Sequence, residues 1–124
     1  EAPNVRGESS ADIKTRAFSL YVQGDYASAL PLFMDIYQRE KADYALLYSG
    51  ISLMEIGRFE DAVKLFRQFE GSSSSDYYYP IQWYTALAYI KTHQEEKSVA
   101  ILEEIGRTEN PFQSQATTLL KKLE

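Results

Sequence analysis

Several features that are common in proteins are missing from this sequence. It has no cysteine, a single histidine and no run of about 18 apolar residues that would form a membrane-spanning helix. The absence of cysteine excludes a disulfide framework and thiolate chemistry, and it leaves the redox compartment open. The sequence also lacks a glycine-rich phosphate loop, a nucleophile motif and a metal-ligand spacing. We therefore expect no catalysis, no cofactor and no metal.

The composition is that of an ordinary globular chain. Hydrophobic residues make up 44% of the 124 residues and charged residues 25%, which predicts one domain with a real core. The net charge is −5, with acids spread along the chain, so a nucleic-acid partner is not expected. The ten tyrosines are the unusual feature, because tyrosine suits a surface that is partly wet and partly covered.

The beginning of the chain has no periodic pattern. Residues 1–8, EAPNVRGE, mix proline, asparagine and glycine with charges, which predicts a flexible N-terminal arm before a single domain over residues 9–124. The sequence begins at Glu1 without methionine, so an upstream targeting or anchoring segment that has been removed stays open. Cytoplasm and the extracytoplasmic side of a cell envelope are both compatible with these features.

One segment of the chain recurs twice. Residues 20–36 read LYVQGDYASALPLFMDI, residues 53–69 read LMEIGRFEDAVKLFRQF, and a fainter copy at 89–105 reads YIKTHQEEKSVAILEEI. Gly57 follows Gly24 by 33 residues, and His93 follows Gly57 by 36 in the place of a glycine. A period near about 34 residues, with a helical pattern on both sides of each turn, predicts stacked helical hairpins.

Capping residues predict where the helices begin and end. Ser9 with Asp12 fits a capping box at the first helix, and Asp25 is a natural N-cap for the second. The other predicted boundaries are Asp43 as the cap of the third helix, Phe69 as the last apolar residue of the fourth, Pro80 at the first position of the fifth, and Asn110-Pro111 as N-cap and first residue of the last.

Small residues recur where the two helices of each hairpin would cross. A large side chain at such a point would push the helix axes apart. The small residues are Ala17, Gly50 and Ala86 on the first helices and Ala29, Ala62 and Ser98 on the second. Bulky residues that would fill the space beside them are Phe33, Phe66 and Leu102.

At these positions the chain resembles the tetratricopeptide repeat family, whose pattern places a small residue, an aromatic or leucine, a Gly-Asp/Arg-aromatic turn, an alanine and an aromatic. The matching residues are Ala17, Leu20, Gly24, Asp25, Tyr26, Ala29 and Phe33 in the first copy, and Gly50, Leu53, Gly57, Arg58, Phe59, Ala62 and Phe66 in the second. The third copy matches at Ala86 and Tyr89 and departs at His93, Glu95 and Ser98. Arg16, Ser49 and Thr85 stand where the family usually has leucine.

The resemblance covers residues 10–124 and implies an all-α right-handed solenoid. Its three hairpins would span about residues 10–42, 43–75 and 79–110, followed by a C-terminal capping helix at about 111–123. In the family, the first helices line a concave groove that binds proteins or peptides. The residues at those positions here are Lys14, Phe18, Tyr21, Tyr44, Leu47, Tyr48, Ile51, Trp83, Tyr84, Leu87 and Lys91.

The resemblance makes a chaperone co-factor the less favoured reading. The family branch that clamps the C-terminal carboxylate of chaperones needs lysines, asparagines and an arginine at five positions. Those positions hold Lys14, Phe18, Tyr48, Pro80 and Tyr84 here, so a single lysine is retained.

We expect a non-enzymatic module that binds a peptide or partner protein in an aromatic-lined groove. Two uses of the aromatic residues stay open, because they can stack on a ligand or fill a narrow groove themselves. The run Tyr77 to Tyr79 is expected to pack the start of the fifth helix, with an interaction patch as the alternative. A second function also stays open, that of an assembly domain of a larger, membrane-anchored bacterial protein that self-associates.

Overall fold

The computed structural model describes residues 7–124, and these form α-helices without a strand. The helices are α1 (Ser10–Val22), α2 (Tyr26–Glu40), α3 (Asp43–Glu55), α4 (Phe59–Phe66), α5 (Tyr78–Lys91), α6 (Glu95–Arg107) and α7 (Gln113–Leu123). The predicted all-α class is confirmed. Residues 1–6 of the predicted N-terminal arm lie outside the described residues. None of the described helices has the length and hydropathy that a membrane crossing needs.

The described residues up to Phe69 form one compact unit, which we call unit 1. In this unit α1 packs against α2, α2 against α3 and α3 against α4, so each helix contacts its neighbours in sequence, as in helical-repeat proteins. The largest fully buried side chain is that of Phe33 in α2. Around it the core of unit 1 includes Ile13, Ala17, Ala29, Leu32, Ile36, Leu46, Ala62 and Phe66.

The residues from Glu70 to Glu124 form a second compact unit, unit 2, in which α5 packs against α6 and α6 against α7. Its core centres on Ala86, Leu102, Ile105 and Ala116, each 0% exposed. The partly buried side chains packed against this core are Tyr79, Trp83, Ile101, Phe112, Leu119, Leu120 and Leu123. Five of these core and surrounding residues come from Phe112 and α7, so the last helix buries an apolar side against this core.

The turn between the helices of each hairpin has the same backbone geometry. Gly24, Gly57 and His93 have φ angles of 82°, 83° and 62°, in the left-handed region. In each turn two backbone bonds close the helix end in a Schellman motif. The bond that spans five residues joins Asp25 N to Leu20 O at 2.9 Å, Arg58 N to Leu53 O at 2.8 Å and Gln94 N to Tyr89 O at 2.8 Å. The prediction that His93 replaces a glycine at the third turn is confirmed.

The first two predicted N-caps are confirmed. The Ser9 hydroxyl accepts a hydrogen bond from the Asp12 backbone N–H at 3.1 Å and donates to the Asp12 carboxylate at 2.9 Å. The Asp25 carboxylate accepts from the Ser28 backbone N–H at 3.2 Å. Each cap satisfies a backbone donor that the first helical turn leaves without a partner.

Two predicted helix starts are shifted. Asp43 is the first residue of α3, and the N-cap is Ala42, which makes no side-chain cap bond. Here the Asp43 carboxylate lies in the first turn, where it complements the positive end of the helix dipole. Pro80 is the third residue of α5, which begins at Tyr78. Proline is tolerated there because the first turn donates no intrahelical backbone bonds.

The other two boundary predictions were also wrong. Asn110 does not cap α7, because its side chain closes the loop before that helix, with Nδ2 donating to Ile105 O at 2.9 Å and Oδ1 accepting from Phe112 N at 2.8 Å. The fourth helix ends at Phe66, before Phe69. The Gln68 and Phe69 N–H groups bond carbonyls three residues back, and this tighter winding ends the α-helix.

Candidate functional site

Four of the predicted groove residues form one aromatic face in unit 1, which we call the α1–α3 aromatic face. It comprises Phe18 and Tyr21 from α1 and Tyr44 and Tyr48 from α3. Spacings of three and four residues place each pair on one side of its helix. All four side chains are partly buried, so part of each ring is accessible to solvent.

The rings of this face pack on one another. Phe18 and Tyr21 contact Tyr48 edge to face, with ring centroids 4.9 and 5.0 Å apart. Beneath them lies the buried ring of Phe33, 5.6 Å from Tyr48 in a stacked arrangement and 5.0 Å from Phe18 edge to face. Each such pair contributes about 0.5–1.5 kcal/mol beyond its burial. The face is therefore held in place by the core below it.

Lys14 extends the face at its Tyr44 end. The Tyr44 ring stacks on Phe18 with centroids 6.0 Å apart, and the Lys14 ammonium lies 4.4 Å from the Tyr44 centroid. This cation–π geometry places a positive charge beside the exposed edge of the aromatic surface. The structure thus brings together Lys14 and the four aromatic residues that the sequence placed in the groove.

Two other predicted residues of unit 1 lie in the interior. Leu47 is 4% exposed and Ile51 is 8% exposed. So little of each side chain is accessible that neither offers more than a small contact area. Leu47 and Ile51 each lie three residues after one of the tyrosines Tyr44 and Tyr48, in a helix that has eight buried residues. Their role in ligand contact stays a prediction.

In unit 2, Trp83 and Leu87 line a cleft between α5 and α7. The cleft has a volume of about 370 Å³. Trp83 stacks on Phe112, with ring centroids 5.8 Å apart and an interplanar angle of 23°, and it packs against the core of unit 2. The remaining lining residues are Ser114, Gln115, Thr118, Leu119 and Lys122, all from α7.

Tyr84 and Lys91 complete the predicted set but do not line this cleft. Tyr84 is partly buried and Lys91 is exposed near the end of α5. No residue of α7 is among the predicted groove residues. A signal was nevertheless present, because Ser114, Thr118 and Lys122 recur every four residues and so follow one side of the helix.

Two of the three consecutive tyrosines hold α5 to the helix that follows. The Tyr78 hydroxyl donates to the Glu104 carboxylate at 2.5 Å, and the Tyr79 hydroxyl is 2.9 Å from that of Thr108. The bond to Glu104, followed by burial, raises the pKa of Tyr78 to about 12. The packing interpretation is confirmed for Tyr78 and Tyr79.

No cluster of three or more histidine or acidic residues over residues 7–124 is placed to hold a metal ion. His93 is exposed at the third hairpin turn, as expected for a turn residue. Two surfaces contain predicted groove residues, namely the aromatic face of unit 1 and the cleft of unit 2.

The family model of the tetratricopeptide repeat matches residues 44–71. The match extends from the second residue of α3 through α4 and includes Gly50, Gly57 and Phe66. No curated protein and no solved structure matches the chain. Together with the helical hairpins on either side of it, the match fits a tetratricopeptide-like repeat protein, and such repeats suggest a protein–protein interaction module.

Proposed function

We propose that this protein is a non-enzymatic interaction module that binds a peptide segment or partner protein on the α1–α3 aromatic face. The observation that supports this most strongly is the fixed array of Phe18, Tyr21, Tyr44 and Tyr48, each partly accessible and each in contact with another ring. Rings held in this way lose little freedom when a ligand binds, which lowers the entropic cost of association.

The chemistry of the face suits a peptide. Aromatic side chains in the centre of an interface are commonly the residues whose removal costs about 2 kcal/mol or more. The tyrosine hydroxyl groups can exchange hydrogen bonds with a peptide backbone while the rings cover its side chains. Lys14 adds a cation at one edge, which favours a carboxylate on that side of the ligand.

A quantitative affinity capture from the source cell tests the proposal. The variant is Lys14→Ala with Tyr44→Ala, at the edge of the face, because Tyr48 stacks on the buried Phe33 and its loss would disturb the core. The matched control is Lys64→Ala with Gln68→Ala, two exposed residues at and just after α4. We expect partners of the unchanged protein to fall at least tenfold with the first variant and to remain with the second.

The proposal fails if both variants capture the same partners in the same amounts. It also fails if the protein recovers only itself and light scattering shows a mass that rises with concentration, since that outcome favours the assembly function. Thermal unfolding of both variants shows whether each has kept its fold. A variant that unfolds below the assay temperature is replaced by Lys14→Glu, which changes the charge of the face and keeps its rings.

A further inference from the structure

The cleft between α5 and α7 combines an apolar floor with a single charged group. Trp83, Leu87 and Leu119 supply the apolar surface. Ser114, Gln115 and Thr118 supply hydroxyl and amide groups on the α7 side, and all three are exposed. Lys122 is the only charged residue in the lining, which contains no aspartate or glutamate.

The ammonium group of Lys122 takes part in no ion pair with the described residues. No carboxylate of residues 7–124 lies within ion-pair distance of its ammonium group, whereas Arg16, Arg39 and Arg58 each pair with an acid. The chain as a whole carries a net charge of −5, so a cleft whose only charge is positive differs from its average surface. Such a lining attracts a ligand with a carboxylate next to its apolar part.

The floor of the cleft is rigid on one side. Trp83 stacks on Phe112 and packs against Ala86, Leu102, Ile105 and Ala116, so one face of the indole is held by the core of unit 2. Its cleft side contributes a flat apolar wall. The volume of about 370 Å³ is at the lower end of the range of about 300–1,000 Å³ typical of small-ligand sites, which suits a side chain or two of a peptide.

We propose that this cleft receives a bulky apolar side chain of a peptide that carries a carboxylate on the adjacent residue. Trp83, Leu87 and Leu119 cover the apolar side chain, and Lys122 pairs with the carboxylate. This rests on the proposed function as a peptide-binding module and specifies its partner chemistry in unit 2. Lys122 also lies in the last turn of α7, where a basic residue complements the helix dipole. Lys121 lies in the same turn and has the same effect on the dipole, so it is the control for Lys122.

The test uses three synthetic tetrapeptides with blocked ends, Gly-Phe-Glu-Gly, Gly-Phe-Gln-Gly and Gly-Ala-Glu-Gly. The emission of Trp83, the only tryptophan of the chain, reports binding directly, because the indole lines the cleft. We call the three peptides Phe-Glu, Phe-Gln and Ala-Glu after their central residues. At low salt we expect Phe-Glu to bind about threefold more tightly than Phe-Gln, a ratio of affinities typical of an exposed ion pair. This ratio should shrink at high salt because salt screens the ion pair. Ala-Glu should bind at least tenfold more weakly, because little apolar surface is covered.

Two variants of equal net charge identify the cation. In Lys122→Gln, Phe-Glu and Phe-Gln should bind equally, whereas Lys121→Gln should retain the threefold ratio of the unchanged protein. The proposal is overturned if Lys121→Gln abolishes the ratio as fully as Lys122→Gln does, or if Phe-Glu and Phe-Gln bind the unchanged protein equally. It is also overturned if Phe-Glu, added up to the limit of its solubility, leaves the emission of Trp83 unchanged. Failure here leaves the proposed function intact when captured partners still depend on Lys14 and Tyr44 in unit 1.

Discussion

A Cβ atom built on Gly50 of α3 would lie 2.2 Å from Cε1 of Phe66 in α4. Phe66 is 2% exposed, so its ring is enclosed and has no open space into which to turn. Helices α3 and α4 therefore approach each other so closely that a side chain of any size at position 50 overlaps the ring. This close crossing lies within the segment that matches the tetratricopeptide repeat.

We predict that Gly50→Ala destabilises the protein by about 1–2 kcal/mol. Alanine gains about 1 kcal/mol of helix propensity, but overpacking against an enclosed ring costs about 1–3 kcal/mol, and the overlap here favours the upper end. Urea unfolding followed by circular dichroism measures the change. Gly106→Ala in α6 is the control, because the added Cβ would lie 3.5 Å from Thr117 Oγ1, an ordinary contact. That variant should be at least as stable as the unchanged protein, and equal losses in both would contradict the crossing argument.

We predict that His93→Gly stabilises the protein by about 0.5–1 kcal/mol. His93 has a φ angle of 62°, a conformation that crowds the Cβ of any residue other than glycine. Glycine already stands at the corresponding turn position 57, with a φ of 83°. The converse change, Gly57→Ala, should cost about 1 kcal/mol by the same reasoning. A thermal midpoint that falls for His93→Gly would show that the imidazole makes a contribution larger than the backbone cost.

We predict that Ser98→Ala stabilises the protein by about 1 kcal/mol. Ser98 is 0% exposed, and its hydroxyl has no hydrogen-bond partner among residues 7–124. A buried polar group without a partner costs about 1–3 kcal/mol, and alanine retains the small size that the α5–α6 crossing needs. Ser114→Ala, at an exposed helical position, separates the effect of burial from that of helix propensity. Equal changes in the free energy of unfolding for both variants would argue that the buried hydroxyl is solvated.

We predict a stability contribution from Tyr78 that disappears between pH 10 and pH 12. The hydrogen bond to Glu104 raises the pKa of Tyr78 from an ordinary value of 10.0 to about 12. A pKa that is higher in the folded state favours the protonated phenol in that state, so the contribution is complete below pH 10 and is lost as the pH rises to about 12. Tyr78→Phe should thus differ from the unchanged protein in stability at pH 9 by more than at pH 12.

Absorbance at 295 nm provides an independent check on the same group. Subtracting the titration of Tyr78→Phe from that of the unchanged protein isolates one tyrosine among ten. The difference should titrate near pH 12, and Glu104→Gln should move it toward 10, because the hydrogen bond to the carboxylate and the negative charge that opposes phenolate formation are both removed. A difference curve centred at pH 10 in the unchanged protein would contradict the assigned hydrogen bond.

Local sequence signals predicted the repeat geometry well and some helix ends poorly. The hairpin turns at Gly24, Gly57 and His93 were predictable from local sequence. A residue in the left-handed conformation ends one helix, and the apolar pattern of the next helix begins within a few positions. The side chains of Asp43 and Asn110 favour helix caps, but the same chemistry also suits the first helical turn, where Asp43 lies, and loop closure, which Asn110 provides. Which of these roles an aspartate or asparagine takes depends on where neighbouring helices hold the chain.

The candidate sites were only partly predictable. Family positions identified the aromatic residues of α1 and α3, because spacings of three and four place them on one side of each helix. That Tyr48 stacks on Phe33, and that Leu47 and Ile51 are almost fully buried, depends on the packing of three helices. The cleft in unit 2 was missed, because it exists only where α7 faces Trp83 and Leu87.

The sequence by itself determined the helical hairpins of this protein, the positions of their turns and the small residues at their crossings, because each of these depends on residues within about one repeat of each other. The tertiary structure alone decided which aromatic side chains pack together, which serines are buried without a partner among residues 7–124, and where Lys122 meets an apolar cleft. The physical reason is that side-chain contacts between helices depend on rotamers and interaxial distances, which a periodic pattern does not specify.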